Sequence, residues 1–182
     1  MSQPARRRMN VDEFLHWAQA QPGRYELVAG EVVAMVPERA RHNLVKGEAF
    51  ALLREEVRRR GLPCQVFTDG MTVRIDEETA FEPDVVLRCG EPLPPESVEV
   101  PDPLVVVEVV SPSSQTVDSA CKLHGYLHLP SVRHYLIVDP AHRTVVHHER
   151  TGSEIRTCIL HGGMLDLDPP GVRLDLDALF TA

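Results

Sequence analysis

The chain has 182 residues, 43% of them hydrophobic, and a formal net charge of -8. That length and apolar share suit a single domain with a sizeable core over residues 1–182, rather than two independent ones. No apolar run approaches the roughly 18 residues of a membrane span, and no apolar segment follows Arg6 to Arg8 as in a signal peptide, so a soluble, cytoplasmic chain without a membrane partner is expected. The acidic balance weighs against an extended nucleic-acid-binding surface, while leaving room for local basic patches beside a metal-filled acidic site. Cys64, Cys89, Cys121 and Cys158 are widely spaced and form no C-x-x-C. Neither a zinc knuckle nor a disulfide framework is expected, and all four are read as reduced, mostly buried thiols.

Residues 1–9 read as a mobile basic arm. Asn10 followed by Glu13 has the form of a capping box and predicts a short helix to about Ala18, with Phe14, Leu15 and Ala18 on its apolar side. Tyr25-Glu26-Leu27-Val28 and Glu31-Val32-Val33-Ala34-Met35, joined by Ala29-Gly30, predict a hairpin. Over residues 41–60 the apolar positions Leu44, Val45, Ala49, Leu52, Leu53 and Val57 recur at helical spacing, and Gly61 stops the helix. Residues 64–68 and 71–75 read as strands separated by a turn at Asp69-Gly70, and residues 84–87 as another. The stretch 89–103, with Pro92, Pro94, Pro95, Pro101 and Pro103, predicts an irregular loop. Residues 104–110 read as a central strand, broken at Ser111-Pro112-Ser113-Ser114, where a helix starts that ends near Leu129. A buried strand over residues 134–138 follows, and the strand, helix, strand order implies a parallel crossover. Residues 144–149 and 154–160 look like a closing hairpin through Thr151-Gly152, whereas the acidic, leucine-bearing segment 161–182 is left unplaced by its pattern.

The chemistry gathers around two carboxylates. Glu108 interrupts the apolar run Leu104 to Val110, where an unpartnered carboxylate would cost several kcal/mol, so it is expected to be neutralised, paired or metal-bound. Asp84, after Pro83, opens another apolar run and comes close to Glu108 if the two runs are sheet neighbours, about 4.8 Å apart. Two carboxylates at strand ends suggest a hard-cation site. The competing readings are a turn or strand cap for Asp84 and a buried ion pair with an arginine for Glu108. His147 and His148 are adjacent on a strand and point to opposite faces, so they cannot serve one metal; they read as surface or barely buried residues. Ser111 and His134 lack the G-x-S-x-G elbow of a hydrolase triad.

Pro83-Asp84 and then Glu108 within an apolar strand are similar to the PD-(D/E)XK nuclease core. Tyr25 to Glu31, Glu82-Pro83-Asp84-Val85, Val107 to Ser114, Asp118 with Lys122 and Tyr126, and Tyr135 to Pro140 more closely resemble the Uma-type family of restriction-endonuclease-like proteins, in ordered blocks from Val11 to Glu149. The resemblance implies an α/β restriction-endonuclease-like core, a mixed sheet flanked by helices. It also implies a DNA endonuclease with Asp84, Glu108 and Lys122 as catalytic residues. Mg²⁺ or Mn²⁺ would be held by Asp84, Glu108 and the backbone carbonyl of Val109. The core motif places lysine two residues after the glutamate, where this chain has Val110, and the resemblance implies that Lys122 takes that lysine's place. Asp118 and Lys122 also have the spacing of a surface helix pair, worth about 0.2–0.5 kcal/mol. Glu26 is a further candidate acidic ligand that would otherwise salt-bridge an arginine. His42 is a candidate site-lining residue that would otherwise cap its helix. A homodimer on DNA is expected, because a two-fold axis relates two sites to the two strands. The alternative is a nuclease-like fold that no longer cleaves and serves as a nucleic-acid-binding or assembly subunit.

Overall fold

The computed structural model describes residues 8–110 and 118–181. Helix α1 spans Val11–Ala18; the Asn10 side chain accepts from the Glu13 backbone N–H at 2.9 Å, and the Glu13 carboxylate returns to the Asn10 N–H at 3.1 Å. Strands β1 (Tyr25–Val28) and β2 (Glu31–Ala34) form the expected hairpin. Helix α2 runs from Ala40–Arg60 and stops at Gly61, whose φ of 61° lies in the left-handed region that glycine enters without steric cost.

Strands β3 (Cys64–Thr68), β4 (Val73–Arg74), β5 (Ala80–Phe81), β6 (Val85–Cys89) and β7 (Val105–Val109) precede helix α3, described over Asp118–His128. The expected break at Ser111-Pro112-Ser113-Ser114 and the side chain of Asp118 lie outside the described residues, as do Arg6 and Arg7 of the basic arm. Arg8, within them, donates to the Ala29 carbonyl at 3.0 Å. The chain continues through β8 (His134–Asp139), β9 (Thr144–Thr151), β10 (Glu154–Leu160), β11 (Met164–Leu167) and β12 (Val172–Asp175), followed by a 3-10 turn at Ala178–Phe180.

A six-stranded sheet has the order β10-β9-β8-β7-β6-β3, and a smaller one β2-β1-β5-β4. Within the larger sheet β7 and β8 are parallel and every other pairing is antiparallel, so α3 lies on the crossover that the strand, helix, strand order implies. Side chains alternate across the sheet. Val105, Val107 and Val109 join Val45, Ala49, Leu53 and Val57 of α2 in one apolar cluster, whereas Val106 joins Phe81, Tyr126 and Tyr135 in another on the α3 side. Glu108 has the parity of Val106 and therefore points toward α3. The segment that pattern alone leaves unplaced folds as the β11–β12 hairpin. Its Leu167, Val172 and Leu174, with Leu176 and Leu179 just beyond, complete the cluster under α2.

Two expectations are corrected. The antiparallel register sets Cys64 directly opposite Cys89, and the two form a disulfide; Cys121 is exposed and Cys158 partly so, hence the picture of four reduced, mostly buried thiols fails. His147 and His148 do face opposite sides of β9, but both are buried rather than superficial. His148 stacks on Tyr135. His134 Nε2 donates to the Pro169 carbonyl at 3.0 Å, which leaves its Nδ1 to accept from His147 Nε2–H at 3.0 Å, and burial holds both imidazoles below the ordinary histidine pKa. Among the described residues no helix is long and apolar enough to cross a membrane.

Candidate active site

The two sheets meet at Glu82-Pro83-Asp84. Pro83 has no N–H and cannot extend a ladder, so the chain leaves β5 of the small sheet and enters β6 of the large one at this point. Val85 pairs with Val107 across the antiparallel β6–β7 ladder, which sets Asp84 beside Glu108 at the end of β7. Asp84 is 4% exposed; its Oδ2 accepts the Val109 N–H at 2.7 Å, and its Oδ1 lies 3.1 Å from His42 Nε2 on α2.

Glu108 lies against α3. Its Oε1 accepts from the Tyr126 hydroxyl at 2.8 Å and is 3.2 Å from Lys122 Nζ, which in turn lies 2.8 Å from Glu26 Oε1. Burial, with a smaller push from the negative charges of Asp84 and Glu26, raises the Glu108 carboxyl to about 8 even though Lys122 acts in the opposite direction. The Tyr126 hydroxyl is raised well above the usual phenol range by the same burial and by Glu108. Lys122 is thus no surface residue. It is 6% exposed, and its ammonium also stands 5.8 Å from the centre of the Phe81 ring.

Gly125 allows α3 to come this close. A β-carbon there would stand 2.7 Å from Cε2 of Phe81, well inside van der Waals contact. Gly125→Ala is accordingly expected to lift α3 off Phe81, lower the melting temperature and weaken Lys122's hold on Glu108, despite alanine's better helix propensity. A variant melting at or above the wild-type temperature would show that the approach has slack.

A second ionic group surrounds Asp84 on the α2 side. Lys46, one turn after His42, places Nζ at 2.5 and 2.6 Å from the Glu38 oxygens and 3.2 Å from Asp69. Arg24 reaches Glu38 at 3.1 Å, Asp69 at 2.5 Å and Glu82 at 2.6 Å. Glu38, His42 and Asp84 are the one group among the described residues whose ligand atoms all lie within 4.8 Å of one another.

Asp84, Glu108, Lys122, Glu26 and His42 therefore converge, and Val109 enters through its backbone. Glu108 pairs with lysine rather than the arginine considered from sequence, and Glu26 pairs with that same lysine. His42 sits in the first turn of α2 facing Asp84; the N-cap position is Arg39, which makes no side-chain cap. Sequence reasoning missed Lys46, Glu38, Asp69, Glu82 and Arg24. The available signal was Lys46 itself, a charge four residues after His42 and flanked by the buried positions Val45 and Ala49.

The whole assembly is a restriction-endonuclease-like α/β fold, with an acidic centre at the end of the parallel β7–β8 pair. A crystal structure of a "putative nuclease belonging to DUF820" from Anabaena variabilis ATCC 29413 superposes with a TM-score of 0.72 over 95% of this chain and 98% of that one, at 17% identity. The chain belongs to the Uma2 family, described as "Putative restriction endonuclease", which it matches over residues 11–177. Two uncharacterized proteins of Synechocystis sp. (strain ATCC 27184 / PCC 6803 / Kazusa) are similar in sequence. One, slr1290, is 26% identical over 72% of this chain and 68% of its own length; the other, sll1609, is 27% identical over 79% and 82%.

Proposed function

We propose that the protein is a divalent-metal-dependent DNA endonuclease that hydrolyses phosphodiester bonds at the Asp84, Glu108 and Lys122 centre. It would act in the cytoplasm as a homodimer. The observation that carries the reading is the buried ammonium of Lys122, 3.2 Å from Glu108 at a strand end that Asp84 shares. Asp84, Glu108 and the Val109 carbonyl are hard oxygen donors of the kind that Mg²⁺ and Mn²⁺ take, with Glu26 as a further carboxylate nearby. Burial is the main cause of the raised Glu108 pKa, with a smaller push from Asp84 and Glu26, and a divalent ion beside it would favour the ionised carboxylate.

A bound ion supplies Lewis acidity toward a phosphate oxygen and lowers the pKa of a coordinated water. The chain's own contribution is positional. Val109 N–H and His42 fix the two oxygens of Asp84, while Tyr126 and Lys122 fix Glu108. The Lys122 ammonium orients the attacking water and offsets the charge that accumulates on the phosphoryl oxygens. The water oxygen bonds to phosphorus, the bond to the leaving sugar oxygen breaks, and that oxygen takes a proton from solvent as the attacking water gives one up.

The test uses supercoiled plasmid and single-stranded DNA with Mg²⁺, Mn²⁺ or a chelator. Cleavage is expected with an ion and not with the chelator, and Asp84→Asn is expected to abolish it. Failure to cut either substrate with either ion would instead support a binding or assembly subunit. That second reading is favoured by the net charge of -8 and by the saturation of Glu26 and Glu108 with Lys122.

A further inference from the structure

Lys46 is the second buried lysine of this region, and hydrolysis as described gives it no part. It is 4% exposed, and its ammonium is wrapped by carboxylates from three separate chain segments: Glu38, Asp69 and, at 3.9 Å, Asp84. Those carboxylates and His42 offer the mixture of imidazole and oxygen donors that Mn²⁺ or Zn²⁺ accepts. The spacing of Glu38, His42 and Asp84, within 4.8 Å of one another, is what an ion roughly 2.0–2.3 Å from each ligand needs after small side-chain shifts. Lys46 Nζ stands against two members of that same group, where a fixed positive charge repels an incoming cation.

We infer that Lys46 is a built-in cation filling a second metal position, so that the centre takes a divalent ion only on its Asp84–Glu108 side. Asp84 belongs to both donor sets, with Oδ1 facing His42 and Oδ2 accepting the Val109 N–H. Arg24 keeps Glu38 and Asp69 gathered when the ammonium is gone, so its removal leaves a site rather than a collapse. The ion on the Glu108 side rests on the nuclease reading; the role of Lys46 does not.

The experiment counts Mn²⁺ bound per full-length chain, by equilibrium dialysis and by electron paramagnetic resonance, for wild type, Lys46→Met and Lys46→Ala, each with and without Glu38→Gln. The lysine variants are expected to bind one more Mn²⁺ than wild type, and Glu38→Gln is expected to remove that extra ion. In the Lys46-intact chain Glu38→Gln leaves the count unchanged. Equal counts in wild type and a folded lysine variant overturn the inference. So does the loss of an ion from Glu38→Gln alone, a measurement that stands even if both lysine variants misfold. A wild-type count of zero would remove the nuclease reading while leaving the comparison between variants to decide on Lys46.

Discussion

Lys122→Met is expected to lower DNA cleavage by at least about 10²-fold and to destabilise the fold in the same step. The two effects have one origin. Methionine keeps an apolar chain beside Phe81 but removes the ammonium that Glu26 and Glu108 both contact, leaving Glu108 with the Tyr126 hydroxyl and Glu26 with the Glu82 N–H among its remaining contacts. Breaking a buried ion pair from one side costs about 3–5 kcal/mol when the partner stays charged; Glu108, its pKa raised to about 8, can take up a proton instead, so the loss is expected to be smaller at neutral pH than above pH 8. The double variant Lys122→Met with Glu108→Gln is expected to recover part of that stability and none of the activity, because the amide removes the ionisable group at Glu108 without restoring the cation that Glu26 also contacts. Denaturant unfolding beside the plasmid assay separates the outcomes. A Met variant that is both stable and active would reduce Lys122 to a bystander.

In the presence of a chelator, stability is expected to fall as pH rises from about 7.5 through 8, and a saturating divalent ion is expected to flatten that slope. Glu108 has a folded-state pKa of about 8 against an ordinary value of 4.5, so the folded protein binds a proton that the unfolded chain has released. The associated stability is complete below 4.5 and is lost as pH rises through 8, with a magnitude on the order of a few kcal/mol. His134, His147 and His148 act in the opposite sense. Their folded pKa values lie below 6.5, that of His147 at about 4, so they favour the fold above 6.5 and lose that contribution on acidification. Restricting the measurement to about pH 7.5 and above, where the histidines are neutral in the unfolded chain as well, isolates the carboxyl. Thermal melts of wild type and Glu108→Gln supply the check, and an equal slope in both would assign the effect to another group.

Asp84 and Glu108 were legible in the chain because a carboxylate inside or beside an apolar strand run is a local anomaly, visible without any partner. The capping box at Asn10 and the stop at Gly61 were legible for the same reason, since each is written within a few consecutive residues. Glu38 and Asp69 were not. Each has the look of an ordinary polar helix or turn residue until the fold brings three segments to one point. The Cys64–Cys89 pairing likewise depends on the β3–β6 register, which a spacing count does not give. The β11–β12 hairpin was opaque because its short strands find their apolar partner in α2, where the Arg173 N–H meets Glu56 across 117 residues of sequence.

That late partnership bears on how the chain is made. Helix α2 leaves the ribosome with Val45, Ala49, Leu53 and Val57 uncovered, and the residues from Leu167 to Leu179 that help seal them are synthesised more than a hundred residues later. At ordinary elongation rates the interval is on the order of ten seconds, long enough for a nascent chain to need a chaperone's cover. The same helix supplies His42 to Asp84, so a translation product that stops short of the hairpin would carry the acidic residues on an unsettled scaffold.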